Sequence, residues 1–393
     1  MDVKRMTQNL TIAVFLLAVF GFSLAFWILP DRDFSEQENR ALRTLPAFTL
    51  EKLASGKFSD EINDYFADQF PIRDALVGVK GFAEIAMGKR ENDGILLGAD
   101  GYLAKRRFDM MLQNGEILPD MDAFDEAHVR DAAQAIRRVS ESLEVPFSVF
   151  LTGRTVDVAA SKLAYPSSYS DALLALLREE LGTMEGYIDS VPLYRERLEN
   201  GEDVYYRTDH HWTTLGAYYA YVEILHSYGL EEEILPPDAF DRVTASDAFY
   251  GTSGSAGGMK FVSPDSIELW MRGNEESFAV TADGRELEGL YSYRYLDRKD
   301  QYSIFLDGTH DVVTVRSKTQ ADRPTLLLFK DSFANSVAPF LAQHFDLVLL
   351  NLSSVRTDYT DVSAYAEQYG ADYVLLIYTL ENVMTTSKMQ NLR

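Results

Sequence analysis

The sequence predicts an α/β protein centred on a parallel sheet. Thr325 to Phe329 (TLLLF), Leu347 to Leu350 (LVLL) and Tyr373 to Ile377 (YVLLI) are short, continuous apolar runs. Helix-spaced segments at Ser332 to His344 and Val362 to Tyr369 alternate with them. A strand that is apolar along its whole length is buried on both faces, the condition of a parallel sheet covered by helices.

The elements follow in chain order. Leu10 to Pro30 carries no charge, follows Lys4 and Arg5, has Trp27 near its far end, and is long enough to span a bilayer. Basic residues before it and Asp31, Asp33, Glu36 and Glu38 after it place the N-terminus in the cytoplasm and the bulk of the chain outside. A cleaved signal peptide, with Ser23 and Ala25 at its cleavage site, is the competing reading, and either one exports the remainder. Residues 31–110 form a membrane-proximal segment, helical from Leu50 to Phe66, then a hairpin marked by Asn92-Asp93-Gly94 and Ala99-Asp100-Gly101. The α/β domain occupies 111–393. It opens with a helix from Asp122 to Leu143 and a buried strand at Val145 to Leu151. A helix from Tyr169 to Leu181, a short strand near Tyr187 and Ile188, and a helix from Thr214 to Tyr228 follow. Residues of about 231–320 read as an insertion of loops and antiparallel strands, with Ser303 to Leu306 and Val312 to Val315 among its β-like pieces.

Composition narrows the function. The net charge of −24 argues against nucleic acid, whose recognition rests on a basic footprint. The chain has no cysteine, which excludes disulfides, thiolate metal sites and a cysteine nucleophile. No cofactor-binding pattern is present; the glycine-rich loop Gly251 to Gly258 lacks the phosphate-cradling spacing.

Two constellations bear chemistry. Lys330-Asp331-Ser332-Phe333 stands where TLLLF ends and a helix begins, the place where open α/β sheets build their sites and where free N–H groups meet a developing oxyanion. Ser332 is either a nucleophile there or simply a helix cap. Thr208-Asp209-His210-His211-Trp212 precedes another helix. A serine hydroxyl needs a base, and the base needs a partner to hold it. In an extended backbone Asp209 and His211 share a face while His210 points away. Structural packing and metal ligation are the other readings of this cluster; His226 and His310 are isolated. Trp212 with Tyr205, Tyr206, Tyr218, Tyr219 and Tyr221 forms either a sugar-stacking platform or a packed core.

Tyr206-Arg207-Thr208-Asp209-His210-His211-Trp212-Thr213 resembles the signature of the bacterial DHHW protein family, and Lys330-Asp331-Ser332-Phe333-Ala334-Asn335 resembles its second block. Glu38-Asn39-Arg40 and Asp68-Gln69-Phe70-Pro71-Ile72-Arg73 support the match. That family is similar to the alginate O-acetylation proteins, with a permuted SGNH-hydrolase-like domain carrying an Asp-x-His motif upstream and a GDS-like serine downstream. The resemblance implies Ser332 as nucleophile, His211 as base and Asp209 as its orienting carboxylate. It also implies an acyl group, acetyl above all, supplied by a membrane-bound acyltransferase partner and passed to an exported or cell-surface polysaccharide. Lys330 departs from the glycine of the GDS block, and Asn335 and Asn351 are the candidate oxyanion asparagines. Trp212, Tyr206, Arg207, Lys330 and Asn335 are expected to contact substrate. An esterase using the same three residues and a non-catalytic glycan-binding or assembly protein are the alternatives.

Overall fold

The computed structural model describes residues 3–35, 40–106, 108–111, 117–121, 123–165, 167, 169–259, 261–354 and 356–393. Glu36, Glu38 and Asn39 of the membrane-proximal motifs, and Asp122 at the expected helix start, lie outside the described residues. The chain forms two compact units, Met1–Lys89 with Gly258–Phe261, and Arg90–Gly257 with Val262–Arg393.

In the first unit α1 (Val3–Ile28) is long and apolar enough to cross a membrane. Three helices follow: α2 (Leu50–Ala54), α3 (Lys57–Asp68) and α4 (Arg73–Ala86). Thr49 starts α2 by accepting the Lys52 N–H at 3.1 Å. The helical run expected from Leu50 to Phe66 is thus two helices, broken at Ser55 and Gly56.

The larger unit begins with three short antiparallel strands, Glu91–Asn92, Ile95–Leu97 and Leu103–Lys105. Asp93 and Gly94 both take positive φ, 46° and 77°, as a tight hairpin turn demands. The chain divides between Lys89 and Arg90 rather than near residue 110, because Leu96, Leu103 and Ala104 are buried in the core and the Leu103 N–H donates to the Arg207 carbonyl at 2.8 Å.

The main sheet has eight strands: β1 (Phe147–Thr152), β2 (Tyr187–Asp189), β3 (Phe278–Ala282), β4 (Arg285–Glu286), β5 (Val312–Ser317), β6 (Thr325–Lys330), β7 (Asp346–Asn351) and β8 (Tyr373–Thr379). Their order is β4-β3-β5-β7-β6-β8-β1-β2. From β7 to β2 all pairs are parallel. The apolar runs of β6, β7 and β8 are buried almost throughout, as expected for strands covered on both faces. The covering helices include α5 (Glu126–Ser142), α6 (Ser170–Leu181), α7 (Thr214–Ser227), α8 (Ala334–Leu341) and α9 (Val362–Tyr369), with a short α10 (Leu380–Thr385) after β8. Side-chain caps set several starts: Asp125 accepts the Ala127 N–H at 2.9 Å, and Thr213 accepts the Gly216 N–H at 3.2 Å.

The segment 231–320 is more than an insertion beside the sheet. β3, β4 and β5 extend it in antiparallel sense from the edge of β7, where Val315 pairs with Leu347. Ser303 to Leu306, expected as a strand, instead lies in and just after a 3-10 turn at Gln301–Ile304. β6 is an interior strand flanked by β7 and β8, and open α/β sheets build their sites beyond the carboxyl end of such a strand. Ser332 follows that end directly.

Candidate active site

The Asp209 segment is a tight reversal. Tyr206 N–H donates to the His211 carbonyl at 3.1 Å, and Thr213 N–H to the Val204 carbonyl at 3.0 Å. Asp265 fastens it from outside, accepting the N–H groups of Arg207 and Thr208 at 2.9 and 2.8 Å and the Thr208 hydroxyl at 2.6 Å. Burial raises the Asp265 carboxyl above its ordinary value, and these three donors oppose the rise.

Asp209 and His211 do not meet through an extended backbone. Asp209 Oδ1 accepts the backbone N–H of His211 at 3.0 Å, an Asx-type turn, and the same oxygen lies 2.6 Å from His211 Nδ1. The turn also keeps His210 close: its ring centroid is 3.9 Å from that of His211, and its Nδ1 is 2.8 Å from Thr252 Oγ1. Asp209 Oδ2 accepts the Thr252 N–H at 2.8 Å and its hydroxyl at 3.1 Å. Burial alone would raise this carboxyl, but the two imidazoles and the Thr252 N–H hold it well below the usual carboxylate range. An ionised Asp209 only accepts, so His211 carries its proton on Nδ1 and presents a lone pair at Nε2.

That lone pair faces Ser332 Oγ at 2.7 Å. His211 is buried, Ser332 only partly so. The imidazole is held on its faces: the Tyr302 ring stacks on it at 3.7 Å and 10°, and the Phe333 ring sits at 4.7 Å. Asp331 pins the serine turn, with Oδ1 accepting Phe333 N–H at 3.1 Å and Oδ2 accepting Thr379 N–H at 2.7 Å and Asn382 Nδ2 at 3.0 Å. Burial raises the Asp331 carboxyl despite these donors. Thr252 lies in the glycine-rich loop Gly251 to Gly258 that the sequence singles out and Asp331 stands beside Ser332, whereas Tyr302, Thr379 and Asn382 carried no sequence signal of a role.

The other expected site residues are placed differently. Trp212 and Tyr206 are buried to 1% exposure or less, so neither stacks on a substrate at the surface. Trp212 donates its indole N–H to Ser336 Oγ at 2.8 Å and packs edge-on against Phe333, supporting the serine turn from inside. Tyr205 and Tyr221 are core residues as well. Lys330 is buried, its Nζ 2.7 Å from Asn335 Oδ1, while Asn335 Nδ2 donates to the Gly308 carbonyl at 3.0 Å. Both are internal supports rather than substrate contacts. Arg207 pairs with Asp203 at 3.0 Å and borders a polar cleft of about 330 Å³ with Asp265, Glu268 and Arg242.

Of the two candidate asparagines, Asn335 has its amide committed to Gly308. Asn351 ends β7 in register with Lys330, its Oδ1 accepting the Ser353 N–H at 3.0 Å. The Phe333 N–H, next after Ser332, is taken by Asp331. Asp209, His210 and His211 are close enough for metal ligation, their donor atoms lying within 4.8 Å of one another. However, His211 has both ring nitrogens committed, to Asp209 and Ser332.

Residues 183–351 match the model of the DHHW protein family, a stretch that contains Asp209, His211 and Ser332. No curated protein sequence matches the chain. Among solved structures, PatB1 of Bacillus cereus, including a form with a sulfonyl adduct, is 19% identical with TM-score 0.59, covering 75% of this chain and 98% of its own. A DHHW family protein from Eubacterium siraeum is 17% identical with TM-score 0.54, covering 76% and 97%. At these identities the likeness shows a shared α/β fold. The O-acetyltransferase domain of Pseudomonas putida AlgJ is 13% identical with TM-score 0.44, covering 76% of this chain and 99% of its own.

Proposed function

We propose that the protein is an extracytoplasmic O-acyltransferase, retained at the membrane by α1, that passes an acyl group, acetyl above all, to a cell-surface or exported polysaccharide through an acyl-serine. The observation carrying this reading is the unbroken line from Asp209 through His211 to Ser332, at 2.6 and 2.7 Å. The family match over the segment that holds all three residues supports it.

His211 Nε2 takes the proton of Ser332 Oγ as the oxygen attacks the acyl carbonyl. The Ser332 N–H is the proposed oxyanion donor, with Asn351 at the end of the neighbouring strand the remaining candidate side-chain donor, each such donor contributing about 3 kcal/mol. Collapse expels the donor's leaving group, which receives the proton from His211. A sugar hydroxyl then gives its proton to His211 and attacks the acyl-serine, producing the ester as His211 returns that proton to Ser332 Oγ. Asp209 keeps the imidazole in one tautomer throughout and balances its charge. A membrane-bound acyltransferase is the proposed acyl supplier, since an anchored acceptor enzyme works where such a partner delivers.

The Bacillus cereus relative has been solved with a sulfonyl adduct, so a sulfonyl fluoride is a suitable first probe. Full-length protein in detergent, treated with a sulfonyl fluoride or an activated acetyl ester, should gain one adduct that maps to Ser332 and is absent in Ser332→Ala and His211→Ala. Adding polysaccharide should divert acetyl from water to sugar; release to water alone would mark an esterase. No adduct, with equal ester turnover in all three proteins, would overturn the catalytic reading in favour of a binding protein.

A further inference from the structure

The membrane-proximal unit carries rings that a soluble surface does not explain. α1 ends near Pro30, and the first polar residues after it are gripped by α3 and α4. Tyr65 donates its hydroxyl to Asp31 at 3.0 Å, and Gln69 bonds the backbone of Arg32 in both directions at 2.9 Å. Arg32 pairs with Asp74 at 3.0 Å. Tyr65, Gln69 and Asp74 therefore clamp the exit of α1, Gln69 being the member of the motif Asp68-Gln69-Phe70-Pro71-Ile72-Arg73 that does so.

Beyond the clamp, contact continues back along the apolar helix. Phe66 meets Phe26 with centroids 5.1 Å apart, and Phe70 meets Phe22 at 5.3 Å. At 1.5 Å of rise per residue, Phe26 and Phe22 lie roughly 7 and 13 Å before Asp31 along the helix. Yet Phe66 and Phe70 remain 45% and 39% exposed, beside an apolar groove of about 540 Å³ between α1 and α3. Ile72, Leu76 and Val79 continue the exposed apolar stripe along one face of α4, whereas the opposite side of α3 is acidic, at Asp60 and Asp64.

A half-exposed ring held against a bilayer-spanning helix at that depth is not in water. The Phe66 contact lies within the roughly 5–10 Å over which amphipathic helices bury their apolar face at the headgroup/acyl boundary, and the Phe70 contact lies deeper. We propose that the end of α3 and the start of α4 are seated in the outer leaflet beside α1, with a lipid acyl chain filling the groove. This inference rests on α1 being a retained anchor, as proposed above.

The absence of cysteine makes the test direct. Full-length protein bearing single nitroxide labels in phosphatidylcholine vesicles is probed by collision with oxygen and with a water-soluble nickel chelate. Labels at Phe66→Cys, Phe70→Cys, Ile72→Cys and Val79→Cys should show an oxygen-to-nickel accessibility ratio severalfold above that at Asp60→Cys. Ile72 and Val79 are largely exposed, so they keep the test open if replacing a ring unfolds the unit. Aqueous ratios at these positions while Leu16→Cys, in the middle of α1, reads as hydrocarbon would overturn the inference and leave the anchor standing. An aqueous Leu16→Cys label would remove the anchor itself, and the inference with it.

Discussion

Tyr302 lies flat on His211, their rings 3.7 Å apart and 10° from parallel. Its hydroxyl reaches the Ser332 carbonyl at 3.3 Å and Ser336 Oγ at 3.0 Å, so one side chain touches both halves of the reacting pair. Tyr302→Leu fills the space without a flat surface, and the imidazole gains freedom to rotate. Ester turnover should fall on the order of 10-fold in kcat, with KM little changed. Tyr302→Phe keeps the stack and should lose less. Equal kcat for wild type and Tyr302→Leu, measured with an activated acetyl ester, would remove the ring from the positioning of His211.

Gly251 is required by a close approach. A Cβ built there would overlap Cα, Cβ and Oδ2 of Asp209. The Gly251 N–H also donates to Thr208 Oγ1 at 3.0 Å, so the backbone has little room to retreat. Gly251→Ala should push Asp209 off His211 and cut turnover about 10²-fold while Ser332 and His211 are untouched. Sulfonylation of Ser332 should slow in parallel, which separates this effect from a change in substrate binding.

Asp331 accepts three donors in a buried setting. Asp331→Ala would leave Phe333 N–H, Thr379 N–H and Asn382 Nδ2 unpaired, at about 1–3 kcal/mol for each that finds no water. The melting temperature should fall by several degrees and turnover should collapse with it. Asp331→Asn keeps one acceptor oxygen and should recover part of the stability. Calorimetry of the two variants checks the order.

Trp212 is a prediction about packing rather than sugar binding. Its ring is fully buried against Phe150, Tyr194 and Phe333. Trp212→Ala should cost about 3–5 kcal/mol, and any loss of activity should track the loss of fold. A variant that stays as stable as wild type yet loses polysaccharide binding would return the residue to a surface platform.

How much could be read from sequence differs by kind of residue. β6, β7 and β8 were legible because each is a bounded apolar run. Ser332 at a strand end and the Asp-x-His pair stood out as candidates by residue type, but helix capping, packing and metal ligation fitted them too, and only the resemblance to the DHHW family joined them as nucleophile, base and orienting carboxylate. Tyr302 was not legible, since its importance arises from contact with a histidine far away in sequence. Trp212 and its tyrosines read equally well as platform or core, because aromatic content does not reveal which way a ring faces. β5 shows the same limit: its alternating burial fits an edge strand of any sheet, and only pairing with β7 assigns it to this one. The Asx turn at Asp209 was missed because an Asp-x-His spacing fits an extended backbone equally well.

Lys330 gives a pH dependence whose sign is fixed. Its ammonium is buried, hydrogen-bonded to Asn335, and pushed from 10.5 down to about 8 by that burial, with Asp331 and Asp283 opposing. Below pH 8 folded and unfolded chains both hold the proton, and the cost of the buried charge is present in full. Between about 8 and 10.5 the folded chain has released a proton that the unfolded chain retains, so this group's contribution to stability rises with pH. Lys330→Met abolishes that contribution and leaves all others in place. The stability difference, wild type minus Lys330→Met, should therefore shift in favour of wild type by on the order of 1–3 kcal/mol between pH 7 and pH 10. Denaturant midpoints of both proteins at pH 7, 8.5 and 10 measure it. The subtraction matters because many buried tyrosines also titrate at the alkaline end and are common to both chains. A constant difference across the range would mean that the amine keeps its proton in the folded protein to pH 10, and that Asp331 and Asp283 outweigh burial at this position.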